Sequence, residues 1–227
     1  MESKQSDLDI YKKMQQSPLY FILLMWGLKP QKKGEVFEPG ENLTWQQAEI
    51  LYAVEKALAR KAPKRISIRS GHSIGKSTVV AWLILWYLFC YKDAQIPCTA
   101  PTSDQLHDVL MKEVRRWRDR MPEGIKEKYE ISTDYVRITE SPDTWFARMR
   151  TARKENPEAL AGMHGDYVMA IVDEACHDEE TEVLTSNGWK LFKDVDMDHD
   201  TVLTMDPTSH KAYYVKPSEY HEYEAKE

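Results

Sequence analysis

Gly75, Lys76, Ser77 and Thr78 follow one another in this chain, and far downstream the carboxylates Asp173 and Glu174 stand side by side. A Gly-Lys-Ser turn gathers backbone N–H groups, an ammonium and a hydroxyl, the donors that phosphate oxygens and a hard cation require. Lys76 would neutralise β- and γ-phosphate charge, and the Ser77 hydroxyl could ligate Mg²⁺. Asp173 offers a second oxygen to the metal, and Glu174 could polarise a water.

The surrounding pattern supplies elements to position these groups. Residues 64–69 alternate as a strand, Ser70, Gly71, His72, Ser73 and Ile74 form a loop, and residues 78–91 read as an apolar helix. Strand, loop and helix are the context that gives a P-loop pattern its meaning. The usual pattern has a glycine where this chain has Ser70. Residues 168–172 form a short apolar run of the length of a buried strand, and it ends at Asp173. Pro18 and Gly27 bracket a helix, and Thr44 caps another that runs to about residue 60. Residues 95–100 read as a second strand, with a helix from Gln105 to about Arg120 beyond it. Residues 135–139 and 145–151 read as paired strands joined by a turn. Residues 1–16 read as frayed or as a short helix.

The helix ending near Arg120 carries Lys112, Arg115, Arg116, Arg118 and Arg120. A solvated face balanced by Asp108, Glu113 and Asp119 is the expectation there, ahead of contact with a DNA backbone.

Charge divides the chain of 227 residues unevenly. Residues 1–175 hold 26 Lys and Arg against 24 Asp and Glu, a net of +2, whereas residues 176–227 hold 5 against 13, a net of −8. The whole-chain pI of about 5.7 averages two unlike pieces. Cys90, Cys98 and Cys176 have no metal-type spacing, and Cys90 and Cys98 read as buried thiols of a reducing compartment. The apolar runs at 18–28 and 79–91 fall short of the ~20 residues a bilayer core needs, so no membrane contact is expected. The acidic residues before the first run are wrong for a signal peptide.

With Trp45-Gln46-Gln47, Arg69 through Ser77, Thr99-Ala100-Pro101-Thr102, Gly162-Met163-His164-Gly165 and Asp173-Glu174-Ala175 in view, residues 17–175 resemble the large terminase subunit of tailed phages. The resemblance implies an α/β P-loop NTPase domain of three layers, incomplete here, spanning 44–175 after a helical segment at 1–43. It implies ATP and Mg²⁺ as cofactors, Gln46 or Gln47 as the adenine reader, Arg69 as an arginine acting on the γ-phosphate, and Ser77 and Asp173 on the metal. Double-stranded viral DNA, the portal and the small terminase subunit would be partners of a homo-oligomeric ring in the host cytoplasm. The family's coupling motif and nuclease domain do not follow, so genome cutting is not expected of this chain.

Cys176 through Val195, with the strand-like stretches 200–206 and 212–217, resembles the N-terminal blocks of inteins. That implies a small β-rich Hint-like segment at 176–227, a thioester at Cys176, and splicing only with a C-terminal intein partner that resumes the terminase. The family's Thr-x-x-His, terminal His-Asn and downstream nucleophile are missing, and His177, His199, His210 and His221 read as exposed. The unspliced ATPase is expected to turn over poorly. Two rivals are a helicase-like motor with an acidic C-terminal domain and no splicing, and a non-enzymatic scaffold with a degenerate P-loop.

Overall fold

The computed structural model describes residues 2–33, 42–59, 64–68, 75–100, 105–151, 165–173, 182–205 and 211–218. The chain divides into two compact units, Met1–Asp173 and Glu174–Glu227.

The first unit is built around one helix. Helix α4 (Lys76–Cys90) buries Val79, Ala81, Leu83, Ile84, Leu85, Trp86 and Leu88 among others, and so is apolar on nearly every side. Such a helix must be covered all round. Helices α1 (Glu2–Gln16), α2 (Pro18–Trp26) and α3 (Trp45–Leu58) pack against it. Phe21 and Ile22 of α2 and Leu51 of α3 are fully buried in the same core. Residues 2–16 therefore form a docked helix, tied by Trp86 Nε1 donating to the Met14 carbonyl at 2.7 Å and Tyr11 Oη to the Cys90 carbonyl at 2.8 Å. The caps anticipated for α2 and α3 form. Ser17 accepts from the Tyr20 amide, and Gly27 closes α2 at φ +70°. Thr44 and Gln47 make a reciprocal capping box, which satisfies two otherwise orphaned amides.

A mixed five-stranded sheet lies in the same unit. Its strands are β3 (Gln95–Ala100), β4 (Tyr129–Ile131), β5 (Tyr135–Ile138), β6 (Phe146–Thr151) and β7 (Ile171–Val172), in the order β4-β5-β6-β3-β7. β3 runs parallel to both β6 and β7, while β4, β5 and β6 pair antiparallel. A short parallel pair, β1 (Lys29–Pro30) with β2 (Asn42–Leu43), stands apart from it. Between β3 and β4, a π-helical turn (Gln105–Leu110) leads into α5 (Met111–Asp119), followed by the short α6 (Glu123–Lys126).

Two strand expectations are corrected. Residues 64–68 join no ladder, and Ile66 and Ile68 stay 39% and 41% exposed. Alternation alone does not make a strand where no neighbouring strand receives its N–H and C=O groups. The run at 168–172 pairs only through Ile171, Val172 and an isolated bridge from Val168 to Gln95, and Val172 is 58% exposed. It is a half-covered edge, because among the described residues only β3 pairs with it.

The second unit is a four-stranded antiparallel sheet. Strands β8 (Glu182–Thr185), β9 (Gly188–Leu191), β10 (Val202–Met205) and β11 (Ala212–Val215) lie in the order β11-β10-β8-β9. Gly188, at φ +101°, turns β8 back into β9. Asp200 is the buried hub: its carboxylate takes Lys190 Nζ at 2.7 and 2.9 Å, Asn187 Nδ2 at 2.8 Å and the Asp196 amide at 2.8 Å. Lys190, then Asn187 and the Asp196 amide, hold its carboxyl down to about 2. No buried apolar side chain of this unit appears among the described residues, and Trp189, Tyr213 and Tyr214 are 65%, 46% and 46% exposed.

Among the described residues no helix is long and apolar enough to cross a membrane.

Candidate functional site

Parallel strands place their carboxyl ends along one edge of a sheet, and in open α/β sheets ligands gather there. Ala100 ends β3, Thr151 ends β6, and Asp173 follows β7 on that same edge. The Asp173 amide donates to the Thr99 carbonyl at 2.8 Å, which continues the pairing one residue past Val172 and fixes where the carboxylate leaves the strand. Asp173 is partly buried. It lies close enough to Cys98 that its charge adds to the effect of burial in pushing that thiol up.

Helix α4 leads into β3 through residues 91–94. Gly75 starts the helix at φ +79°, in the left-handed region, with no side chain capping the first turn. Two observations favour glycine here. The backbone angle is one, and the other is Gln47, whose Nε2 would lie 2.5 Å from a Cβ built on Gly75.

Gln47 brings α3 to this turn. Its Oε1 accepts from the Thr44 amide at 2.9 Å, while its Nε2 donates to the Gly75 carbonyl at 3.4 Å. Both ends of its amide are thus engaged, and the residue is 8% exposed. Gln46, its neighbour, is partly exposed. Lys76, Ser77 and Thr78 occupy the first turn of α4, each partly buried. The Thr78 hydroxyl points away along α5, donating to Glu113 Oε2 at 3.1 Å.

The structure therefore brings Gln47, Gly75, Lys76, Ser77 and Thr78 together at one helix start and places Asp173 at the carboxyl edge of the sheet. Arg69, Ser70, Gly71, His72, Ser73 and Ile74 lie outside the described residues, as do Glu174 and Cys176. Sequence reasoning had Glu113 only as a balancing charge and Thr99 only as part of a motif. Thr99 contributes through its backbone and leaves no side-chain signal. Glu113 left a faint one, its i,i+4 spacing to Trp117, whose Nε1 also donates to Glu113 Oε2 at 3.0 Å.

The basic helix differs from a uniformly solvated face. Arg115 donates to the Ser132 carbonyl at 2.6 Å, and Arg118 donates to the Tyr129 carbonyl at 3.4 Å and pairs with Asp119. Arg120 stacks over Trp117 at 4.4 Å. Lys112 and Arg116 remain on the exposed side.

The family model described as terminase large subunit, T4likevirus-type, N-terminal, matches residues 68–226. A probable terminase, large subunit, of Enterobacteria phage P7 is 28% identical over 140 residues, which cover 60% of this chain and 27% of that protein. The chain thus spans about 27% of the length of that curated relative. With a family match running over more than half its length, this mixed α/β chain belongs to the T4likevirus-type terminase large subunit N-terminal family.

Proposed function

We propose that the chain is the ATPase part of a phage DNA-packaging motor, interrupted after its catalytic carboxylates by the N-terminal segment of an intein. The observation that carries the ATPase reading is the left-handed Gly75 heading an apolar helix, in the same compact unit as the parallel sheet edge that Asp173 follows. The donors present suit the cofactors: first-turn amides and an ammonium for phosphates, and a hydroxyl with a carboxylate for a hard cation that prefers oxygen. Bound Mg²⁺ would supply positive charge against the phosphates. Lys76 holds the β- and γ-phosphates, Ser77 and Asp173 hold the metal, Glu174 orients the attacking water, and Arg69 acts on the γ-phosphate. Gln46 reads the adenine, since both ends of the Gln47 amide are already bonded. Ser70, Gly71, His72, Ser73 and Ile74 supply the loop amides. Duplex viral DNA, the portal and the small subunit are the motor's partners, and the complete protein works as a homo-oligomeric ring in the host cytoplasm.

The intein reading rests on the second unit. A sheet with exposed Trp189, Tyr213 and Tyr214 and no described apolar core is an element in want of a partner chain. In the first step the Cys176 sulfur bonds to the Ala175 carbonyl carbon, the Ala175–Cys176 C–N bond breaks, and the departing nitrogen takes a proton to become an amine. A C-terminal intein fragment, fused to the remaining terminase, would complete the reaction. The family match continuing to residue 226 favours a second reading, in which the tail belongs to the motor and Cys176 is inert.

Binding of a fluorescent ATP analogue to the purified chain, with and without Mg²⁺, tests the ATPase reading. Mg²⁺-dependent binding that Lys76→Ala abolishes supports it, and equal behaviour of the two proteins overturns it. For the tail, a strong thiol nucleophile added with a C-terminal intein partner should release a 1–175 fragment from the wild type and none from Cys176→Ala. An uncleaved wild type under those conditions leaves the second reading in place.

A further inference from the structure

Glu113 looks in sequence like a countercharge on a basic helix, yet its side chain is only 20% exposed. Oε2 accepts from two donors, Thr78 Oγ1 at 3.1 Å and Trp117 Nε1 at 3.0 Å, and Oε1 meets Arg116 Nη1 at 3.1 Å. Trp117 is itself fixed. It stands edge-on to Trp82 at 4.9 Å and to Trp26 at 5.3 Å, and its carbonyl accepts from Trp26 Nε1 at 3.0 Å. The carboxylate is thus held from the α5 side by a packed indole cluster, while its remaining bond reaches the first turn of α4.

That turn has no side-chain cap, and it follows a glycine, the residue with the widest backbone freedom. The orientation of the amides at 76–78 must be held closely, because donors displaced by about 1 Å lose most of their value to a bound group. The bond between Thr78 and Glu113 is placed to do so. We propose that Glu113 is a positioning residue for the nucleotide turn, acting through Thr78, whose hydroxyl serves as a strut to α5 and not as a phosphate ligand. This rests on the nucleotide reading given above. Arg116 offsets the charge of the carboxylate, so the acceptor oxygen matters more than the negative charge.

The test is a titration of the full chain with a fluorescent ATP analogue and Mg²⁺. Glu113→Ala and Thr78→Val should each weaken binding about tenfold, the worth of one hydrogen bond to a charged group. The double variant should be no weaker than either single one, since both remove the same bond. Glu113→Gln keeps an acceptor and should stay within about twofold of wild type. Hydrogen exchange should quicken at residues 76–80 in Glu113→Ala and stay unchanged at residues 84–90, which a general loss of packing would not produce. Glu113→Ala with wild-type affinity, effects that multiply in the double variant, or a Gln variant as weak as Ala would each overturn the proposal. Lys76→Ala in the same titration separates the two levels. If it binds like the wild type, the nucleotide reading fails and this inference with it. If it loses binding while Glu113→Ala does not, this inference alone fails.

Discussion

Gln47 Nε2 lies 3.4 Å from the Gly75 carbonyl oxygen, so the residue that completes the capping box of α3 also brackets the turn that starts α4. One side chain thereby joins two helices whose sequences give no hint of each other.

Gly75→Ala should be among the most damaging single changes at the site. The added Cβ would lie 2.5 Å from Gln47 Nε2 on a backbone at φ +79°, and the left-handed conformation alone costs ~1–2 kcal/mol for a residue with a Cβ. Mg²⁺-dependent nucleotide affinity is expected to fall at least about tenfold, which 1.4 kcal/mol of misplaced donors suffices to produce. Adding Gln47→Ala relieves the clash but not the backbone strain, so recovery should be partial. Wild-type affinity in Gly75→Ala would remove the turn from the site.

Thr44→Ala breaks one half of the capping box, leaving the Gln47 amide without its acceptor. Loss of such a cap costs ~1 kcal/mol. Denaturant unfolding should show that decrease with an unchanged slope. A larger loss of nucleotide affinity than of stability would mean that Gln47 transmits the change to Gly75.

Asp173→Asn keeps the amide bond to the Thr99 carbonyl and changes only the carboxylate. Nucleotide binding in the presence of a chelator is expected to remain, while the enhancement produced by Mg²⁺ is lost. Ser77→Ala should behave alike. A variant that still responds fully to Mg²⁺ would reassign the metal.

Asp200 makes the second unit acid-sensitive. Its folded value of about 2 lies below the ordinary aspartate value of 3.8, so the carboxylate favours the folded form. That contribution is complete above about pH 4 and disappears as the pH falls toward 2, because the unfolded chain then binds the extra proton first. Hydrogen exchange over residues 182–205 should quicken across this range. Asp200→Asn should exchange fast already at neutral pH and show no such transition, and a wild-type profile in that variant would deny Asp200 its place as hub.

Phe21→Ala removes a fully buried ring that packs with Trp26 and Phe89. A loss of ~3–5 kcal/mol is expected, measured on the unfolding transition of the first unit. Deleting residues 1–27 should leave α4 uncovered and the chain insoluble, which would make the N-terminal helices part of the ATPase core and not a separable segment.

Local chemistry was legible without a structure. Ser17, Pro18 and Gly27 bound α2, Thr44 opens α3, residues 95–100 form β3, and residues 135–151 fold back as β5 and β6, because caps and turns depend on residues a few positions apart. That Gly75 opens α4 and that Asp173 follows a strand were legible for the same reason, since such signals lie in short runs. Pairing was not legible. Residues 64–68 alternate as well as any strand in the chain, but alternation describes a face and says nothing of a neighbour. Residues 168–172 are apolar enough for burial and yet, among the described residues, pair with β3 alone. The tertiary fold alone decided that Gln47 meets Gly75 and that Glu113 turns from its own helix surface toward Thr78. Those contacts join residues 28 and 35 positions apart, and a hydrogen bond at such separation exists only where packed helices bring donor and acceptor within about 3 Å.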